Sequence, residues 1–240
     1  MQPALYVALS GQIALERRLT TIAQNVANAG TVGFRAEEVH FESLVSAMSN
    51  PPAAFSSAGN SYLSERTGGL SKTGNPLDVA VRGDGWMAIQ TPAGTAYTRD
   101  GRMRLLESGE LQTLNGYPVL DVGGAPILLD AAAGPAQIAN DGMITQAGKQ
   151  LGAIGLFNID LGGSYRRFEN SAVMPSRPAA PVLDFAVNGL VQGFVEESNV
   201  DAVSEMARLI MVTRTFESLA AATSDSEQAM KNAIQTLGSG

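Results

Sequence analysis

Cysteine is missing from all 240 residues, which removes disulfide scaffolds, thiolate nucleophiles and cysteine-based zinc sites together. Histidine occurs once, as His40. A metal site or a histidine relay needs partners at recognisable spacing, so His40 reads as an ordinary connector residue. Charge is sparse: Asp, Glu, Lys and Arg make up 16% of the chain, with 16 basic against 23 acidic residues and a net charge of −7. The basic clusters never exceed the pairs Arg17-Arg18 and Arg166-Arg167. The footprint that nucleic-acid binding needs is therefore not written here. No apolar run is long enough to span a bilayer. The opening Ala4–Leu9 has neither a basic flank before it nor a small-residue cleavage site after it, and so makes a poor secretion signal. No cofactor, metal or small-molecule substrate is expected.

What is present is a 45% apolar composition with Gly 26 and Pro 11. That is ample for the core of one or two domains, in a turn-rich chain rather than a helical bundle throughout.

The last forty residues organise the chain. Ser198-Asn199-Val200-Asp201 opens them like a capping box, and no proline or glycine interrupts them before Gly238. Steps of three and four from Met206 give Leu209, Thr213, Phe216, Ala220, Thr223, Glu227, Met230, Ile234 and Leu237, and seven of these ten sites are apolar. The spacing predicts an amphipathic helix with coiled-coil periodicity, roughly 55 Å long at ~1.5 Å per residue. Residues 1–29 predict a second helix, with Leu5, Ala8, Gln12, Leu15, Leu19, Ile22 and Val26 on its stripe, Leu9 and Ile13 widening it, and Gly30 suited to a left-handed position past its end. The simplest partner for each helix is the other. The C-terminal one is longer by some 15 Å on the same rise, so the stripe around Met230, Ile234 and Leu237 is expected to need another molecule. A stripe that serves only as monomer core is the alternative.

Between the helices, residues 33–69 read as an irregular or extended connector. From Leu70 to about Asn188 the apolar positions alternate with period two, and Asp84-Gly85, Asp100-Gly101, Asn115-Gly116 and Asp141-Gly142 punctuate them as hairpin turns. The expected fold is α+β: long terminal helices packed as a coiled-coil-like helical domain (1–32 and 198–240), a connector (33–69) and an inserted all-β domain (70–197).

Three stretches carry a resemblance. Asn25-Val26-Ala27-Asn28-Ala29-Gly30-Thr31-Val32-Gly33-Phe34-Arg35 resembles the N-terminal signature of the flagellar rod and hook proteins. Gly74 to Trp86, followed by Tyr97-Thr98-Arg99-Asp100-Gly101, is similar to the family's β-domain entry. Gly193 to Asp201, with Glu205-Met206 and Arg214-Thr215-Phe216-Glu217, resembles its C-terminal motif. Short length and the Asp84-Gly85-Trp86 turn look most like the proximal-rod branch. The distal-rod branch, usually longer and with phenylalanines where Trp86-Met87 stand, is the near alternative.

The resemblance implies a structural, non-enzymatic subunit of the basal-body rod, in the periplasmic space and exported without a cleaved signal. Its partners would be other rod proteins, distal and proximal. It also implies that the assembly interface draws on Leu5, Leu9, Leu15, Leu19, Ile22, Asn25, Val26, Asn28, Gly33 and Phe34 from one end, and on Asn199, Val203, Met206, Leu209, Ile210, Phe216, Met230, Ile234 and Leu237 from the other.

Two other classes stay open on the residues alone. Asp78, Asp84 and Asp100 could converge as the carboxylate pair of a wall glycosidase, although Asp84 and Asp100 each precede a turn glycine. Arg82-Gly83-Asp84 spells an adhesion tripeptide on a chain whose long helix could serve as a stalk.

Overall fold

The computed structural model describes residues 2–41, 43–46, 53–57, 59–162 and 164–238, with side chains for all of these except 2–5, 43–46, 53–55 and 230. The chain divides into two compact units, one of residues 1–27, 37–62 and 201–240, the other of residues 28–36 and 63–200.

The first unit holds both helices, α1 (Gln2–Ala27) and α2 (Ala202–Gly238). Asp201 starts α2. Its carboxylate accepts from the Val203 and Ser204 backbone N–H groups at 3.0 and 3.2 Å and from the Ser204 hydroxyl at 2.7 Å, an acid at the helix N-terminus where free N–H groups gather. Ser198, expected to cap the helix, instead accepts from the Val200 N–H at 3.2 Å, ahead of it. The helices run antiparallel. A Cβ on Gly11 would lie 3.3 Å from Leu219, while Ile22 and Asn25 share the walls of a small cavity with Glu205 and Arg208.

The face that α2 buries is Glu205, Leu209, Val212, Phe216, Leu219 and Thr223. Leu209, Thr213, Phe216, Ala220 and Thr223 of the anticipated stripe are all half-buried, but its first member, Met206, is exposed. Past Thr223 every described side chain of α2 is exposed.

The expected coiled-coil-like pair of helices around a β insert is not what forms. The described residues hold nineteen strands against two helices, so the chain is mostly β. Met206, Ile210, Ile234 and Leu237 are exposed rather than seated in a seam. Residues 33–69 supply the strands Glu37–His40, Ser43–Ser46, Ala53–Ser56 and Asn60–Leu63. Glu37–His40 pairs with Asn60–Leu63, and Ser43–Ser46 pairs antiparallel with Ala53–Ser56. Ala53–Ser56 lies along α1, where the Ser56 N–H donates to Ser10 Oγ at 3.2 Å. The physical reason is that a 3.6-residue period says which face of a helix is covered and not what covers it. Here the strand Ala53–Ser56 takes part of the surface assigned to a second helix.

The second unit is antiparallel β. Its main sheet has six strands in the order Tyr165–Phe168, Ala172–Pro175, Gly94–Thr98, Trp86–Thr91, Leu156–Asn158 and Ala180–Pro181. Val79–Arg82 pairs with Gly189–Gln192, and Leu70–Lys72 with Phe194–Glu196. Val79, Val81, Met87, Ile89, Leu111, Ile144, Leu156 and Leu190 form the core.

The turn dipeptides divide. Gly116 and Gly142 have φ of 89° and 84°, the left-handed backbone that such turns favour. At Asp84-Gly85 the left-handed residue is Gly83, with φ of 82°. Gly101 is required for space, since a Cβ there would sit 1.7 Å from the Val79 carbonyl oxygen. Gly30 is outside the left-handed region and has open space around its Cβ position. Gly101→Ala is therefore expected to cost about 1–3 kcal/mol as the backbone shifts, whereas Gly30→Ala stays within about 0.5 kcal/mol of the parent. Urea unfolding followed by tryptophan fluorescence measures both; equal costs would contradict the geometry.

Candidate assembly surface

The deepest polar feature of the second unit is a three-charge cluster that the sequence reading missed. Arg99 is fully buried, and its Nε donates to Glu196 Oε2 at 2.7 Å. Its terminal nitrogens donate to the carbonyls of Gly85, of Gly83 at 2.8 Å and of Val81 at 3.4 Å. Arg35 meets the other carboxylate oxygen at 3.0 Å, and donates from Nη1 to the Glu65 carbonyl at 2.9 Å and to that of Arg66. The Gly68 N–H also donates to Glu196 Oε1, at 3.0 Å. Trp86 lies against both guanidinium groups, its ring centre 6.0 Å from Arg35 Cζ and 5.7 Å from Arg99 Cζ. Burial first, and then the charge of Arg99, pushes the Arg35 guanidinium down to about 10, while Glu196 and Asp84 pull it up. Arg35 stays charged at neutral pH. The signal in the sequence was faint: one arginine at the end of a motif, another inside a second motif, and a glutamate in an apolar strand.

The motif residues are mostly engaged within the chain. Asn25 is buried and exchanges two hydrogen bonds with the Glu37 backbone, at 2.9 and 3.0 Å. Asn28 accepts from the Thr31 hydroxyl at 3.1 Å. Asn199 accepts from the Ala36 N–H and donates to the Arg66 carbonyl, both at 2.7 Å. Gly33 has φ of 69° and sits so close to the Asp100 N–H that a Cβ would lie 2.2 Å from it. Phe34 is buried beneath Arg167, whose Cζ is 4.7 Å from the ring centre.

The apolar residues separate into two groups. Ile22 is buried, and Leu15, Leu19, Val26, Leu209 and Phe216 are half-buried. Leu9, Val203, Met206, Ile210, Ile234 and Leu237 are exposed, Val203 at 73%, Ile234 at 65% and Leu237 at 85%. Ile13 of the α1 stripe is exposed too, as are Tyr6 and Met211, which lie outside the expected interface. The side chains of Leu5 and Met230 fall outside the described residues. An exposed apolar series of this extent on a helix marks a surface made to be covered.

The acids proposed for glycoside hydrolysis serve turns instead. Asp78 accepts from the Asn75 side chain at 2.9 Å, and Asp100 forms an ion pair with Arg102 at 2.7 Å. Asp84 is exposed, and its backbone N–H donates to Asn188 Oδ1 at 2.9 Å, which fixes Arg82-Gly83-Asp84 as a turn. His40 ends a strand and is exposed. Among the described residues no group of His, Cys, Asp and Glu has the arrangement of a metal site, and no helix is long and apolar enough to cross a membrane.

Three family profiles match in chain order: "Flagella basal body rod protein" over residues 5–35, "Flagellar hook protein FlgE/F/G D1 domain" over 80–146 and "Flagellar basal body rod FlgEFG protein C-terminal" over 191–236. The chain is 54% identical to the flagellar basal-body rod protein FlgF of Mesorhizobium japonicum, covering 100% of this chain and 99% of that one. It is 50% identical to FlgF of Rhizobium meliloti, over 99% of both. The chain belongs to the flagellar basal-body rod protein family. FlgG of Bacillus subtilis is also similar, at 33% identity over 91% of this chain and 92% of that one. This family membership makes the chain a structural protein of the flagellar basal body.

Glu196→Ala strands two buried guanidiniums and is expected to cost about 3–5 kcal/mol, as removal of one partner of a buried ion pair does. A urea midpoint within error of the parent's, read on Trp86, would refute it. Hydrogen bonds from the Ser204 side chain and backbone hold the Asp201 carboxyl below its ordinary value. The stabilisation of α2 that this supplies is complete above the unfolded aspartate value of about 3.9 and is lost as pH falls through the lower folded value. Far-ultraviolet ellipticity should show an acid-induced loss that Asp201→Ala abolishes.

Proposed function

We propose that this chain is a proximal-rod subunit of the FlgF type, which joins its neighbours through the apolar surface of its terminal helices. The observation that carries the reading is the second half of α2, where Ile234 and Leu237 stand in solvent beyond the last residue that packs within the chain. Leu9, Val203, Met206 and Ile210 extend that surface. Each large apolar side chain removed from water contributes about 1.5–3 kcal/mol, so a few anchors per subunit suffice for a junction shared among neighbours. Contacts between unlike faces need not close on themselves, and they generate a helical array.

Partners on this reading are other rod proteins, with a FlgG-type distal subunit on one side and the remaining proximal-rod subunits on the other. The identities to FlgF, 54% and 50% against 33% to FlgG, favour the proximal assignment. The subunit works in the periplasmic space, reaches it by the flagellar export route without a cleaved signal, and catalyses no reaction.

Replacing Ile234 and Leu237 together by Asp tests the proposal. Both side chains are exposed, so the urea midpoint of the purified chain should stay within about 0.5 kcal/mol of the parent, while incorporation into basal bodies and swimming are lost. Normal swimming in the double variant would overturn the assignment.

A further inference from the structure

The second unit contains a cavity of about 440 Å³ that neither its core nor the terminal helices account for. Its wall combines Trp86, Ile159 and Leu161 with the charged groups of Arg35, Glu65 and Asp84. Asp160 also lines it and is paired with the exposed Arg177. Glu65 and Asp84 thus line the wall with no ion pair of their own among the described residues, beside a guanidinium that already shares Glu196 with Arg99. The field at this wall disfavours an anion and favours a cation.

Arg35 supplies a second observation. Its side chain is only 5% exposed, and Nε, alone among its guanidinium nitrogens, has no acceptor. A buried donor without a partner is costly, and the adjoining cavity is the space from which an acceptor can come. A carbonyl oxygen suits it better than a carboxylate, because the rim is acidic.

We propose that this cavity is a docking site for a peptide segment of a neighbouring polypeptide, one that places a lysine or arginine beside an aliphatic residue. The aliphatic side chain packs on Trp86, Ile159 and Leu161, the cation meets Glu65 and Asp84, and a main-chain carbonyl turns toward Arg35. Only the source of the segment rests on the rod-assembly reading. The chemistry of the pocket is independent of it. A second contact of this kind, on the β unit, would give each subunit a polar, orientation-setting junction in addition to the apolar one on its helices.

Trp86 is the only tryptophan of the chain, so its emission reports on occupancy without a label. The probe is the blocked dipeptide acetyl-Leu-Lys-amide titrated into the full chain, with acetyl-Leu-Glu-amide as the comparison. A saturable change in emission is expected with the lysine peptide and none with the glutamate peptide. Asp84→Asn and Glu65→Gln, both exposed positions, should each weaken binding by about 1.4-fold to fivefold, the range of an exposed ion pair. No saturable change, an equal response to the glutamate peptide, or undiminished binding in both variants would overturn the proposal. If the peptide binds while the Ile234/Leu237 double variant still assembles, the helical junction falls and the cavity stands. If the double variant fails to assemble while the peptide does not bind, the reverse holds.

Discussion

Glu196 holds two arginines away from water, and the architecture of the β unit follows from that demand. Arg99 comes from the end of the strand Gly94–Thr98, Arg35 from the segment after Phe34, and Glu196 from the last strand before α2. Ion pairs of this kind are weak evidence of stability in themselves, because desolvation offsets most of the attraction. Their force is conditional. Once two guanidiniums are buried, any arrangement that removes the carboxylate leaves charge uncompensated. Phe194–Glu196 pairs with Leu70–Lys72 in a register that sets Glu196 opposite Leu70. A one-residue slip would turn Glu196 to the opposite face. The cluster therefore fixes register where a three-residue strand would fix it poorly.

The same demand explains the local backbone. Arg99 reaches the carbonyls of Val81, Gly83 and Gly85, so the turn at residues 83–85 must present its oxygens inward. Gly83 takes the positive φ that this requires, and Asn188 holds the adjoining N–H of Asp84. Gly33 and Gly101 then let backbone pass where a side chain would collide. Glycines that look like generic turn formers are here separated by cause, two of them by lack of space rather than by hairpin geometry.

Sequence periodicity carried the existence of both helices and of the β unit, because 3.6-residue and 2-residue patterns report directly on which positions are buried. It placed α2 well enough for Leu209, Thr213, Phe216, Ala220 and Thr223 to be at least half-buried. It did not say that the strand Ala53–Ser56 would lie beside α1, because short strands of mixed polarity carry no period of their own. Nor did it single out Arg35, Arg99 and Glu196: convergence of three residues separated by 64 and 97 positions leaves no local trace. The motif asparagines were legible as important and illegible in role. Asn25 and Asn199 spend their amides on backbone inside the chain, which suits shaping a subunit more directly than touching a neighbour.

The two terminal helices are mismatched in length, 26 residues in α1 against 37 in α2. Antiparallel packing that sets Gly11 against Leu219 leaves little of α1 to face the residues beyond Thr223. The stretch from 224 to 237 then continues for about 20 Å at ~1.5 Å per residue with its described side chains in water. A free helix of that length is marginal, since propagation must offset a costly nucleus and tertiary burial supplies most helical stability. Continuity with the packed part of α2 removes the nucleation cost, and Ala229 and Ala233 favour the helical state. Neither accounts for Ile234 and Leu237, whose exposure is unfavourable until a second surface covers them. The end of α2 is thus helical enough to be presented and apolar enough to gain by burial, which is the physical ground for the junction proposed there.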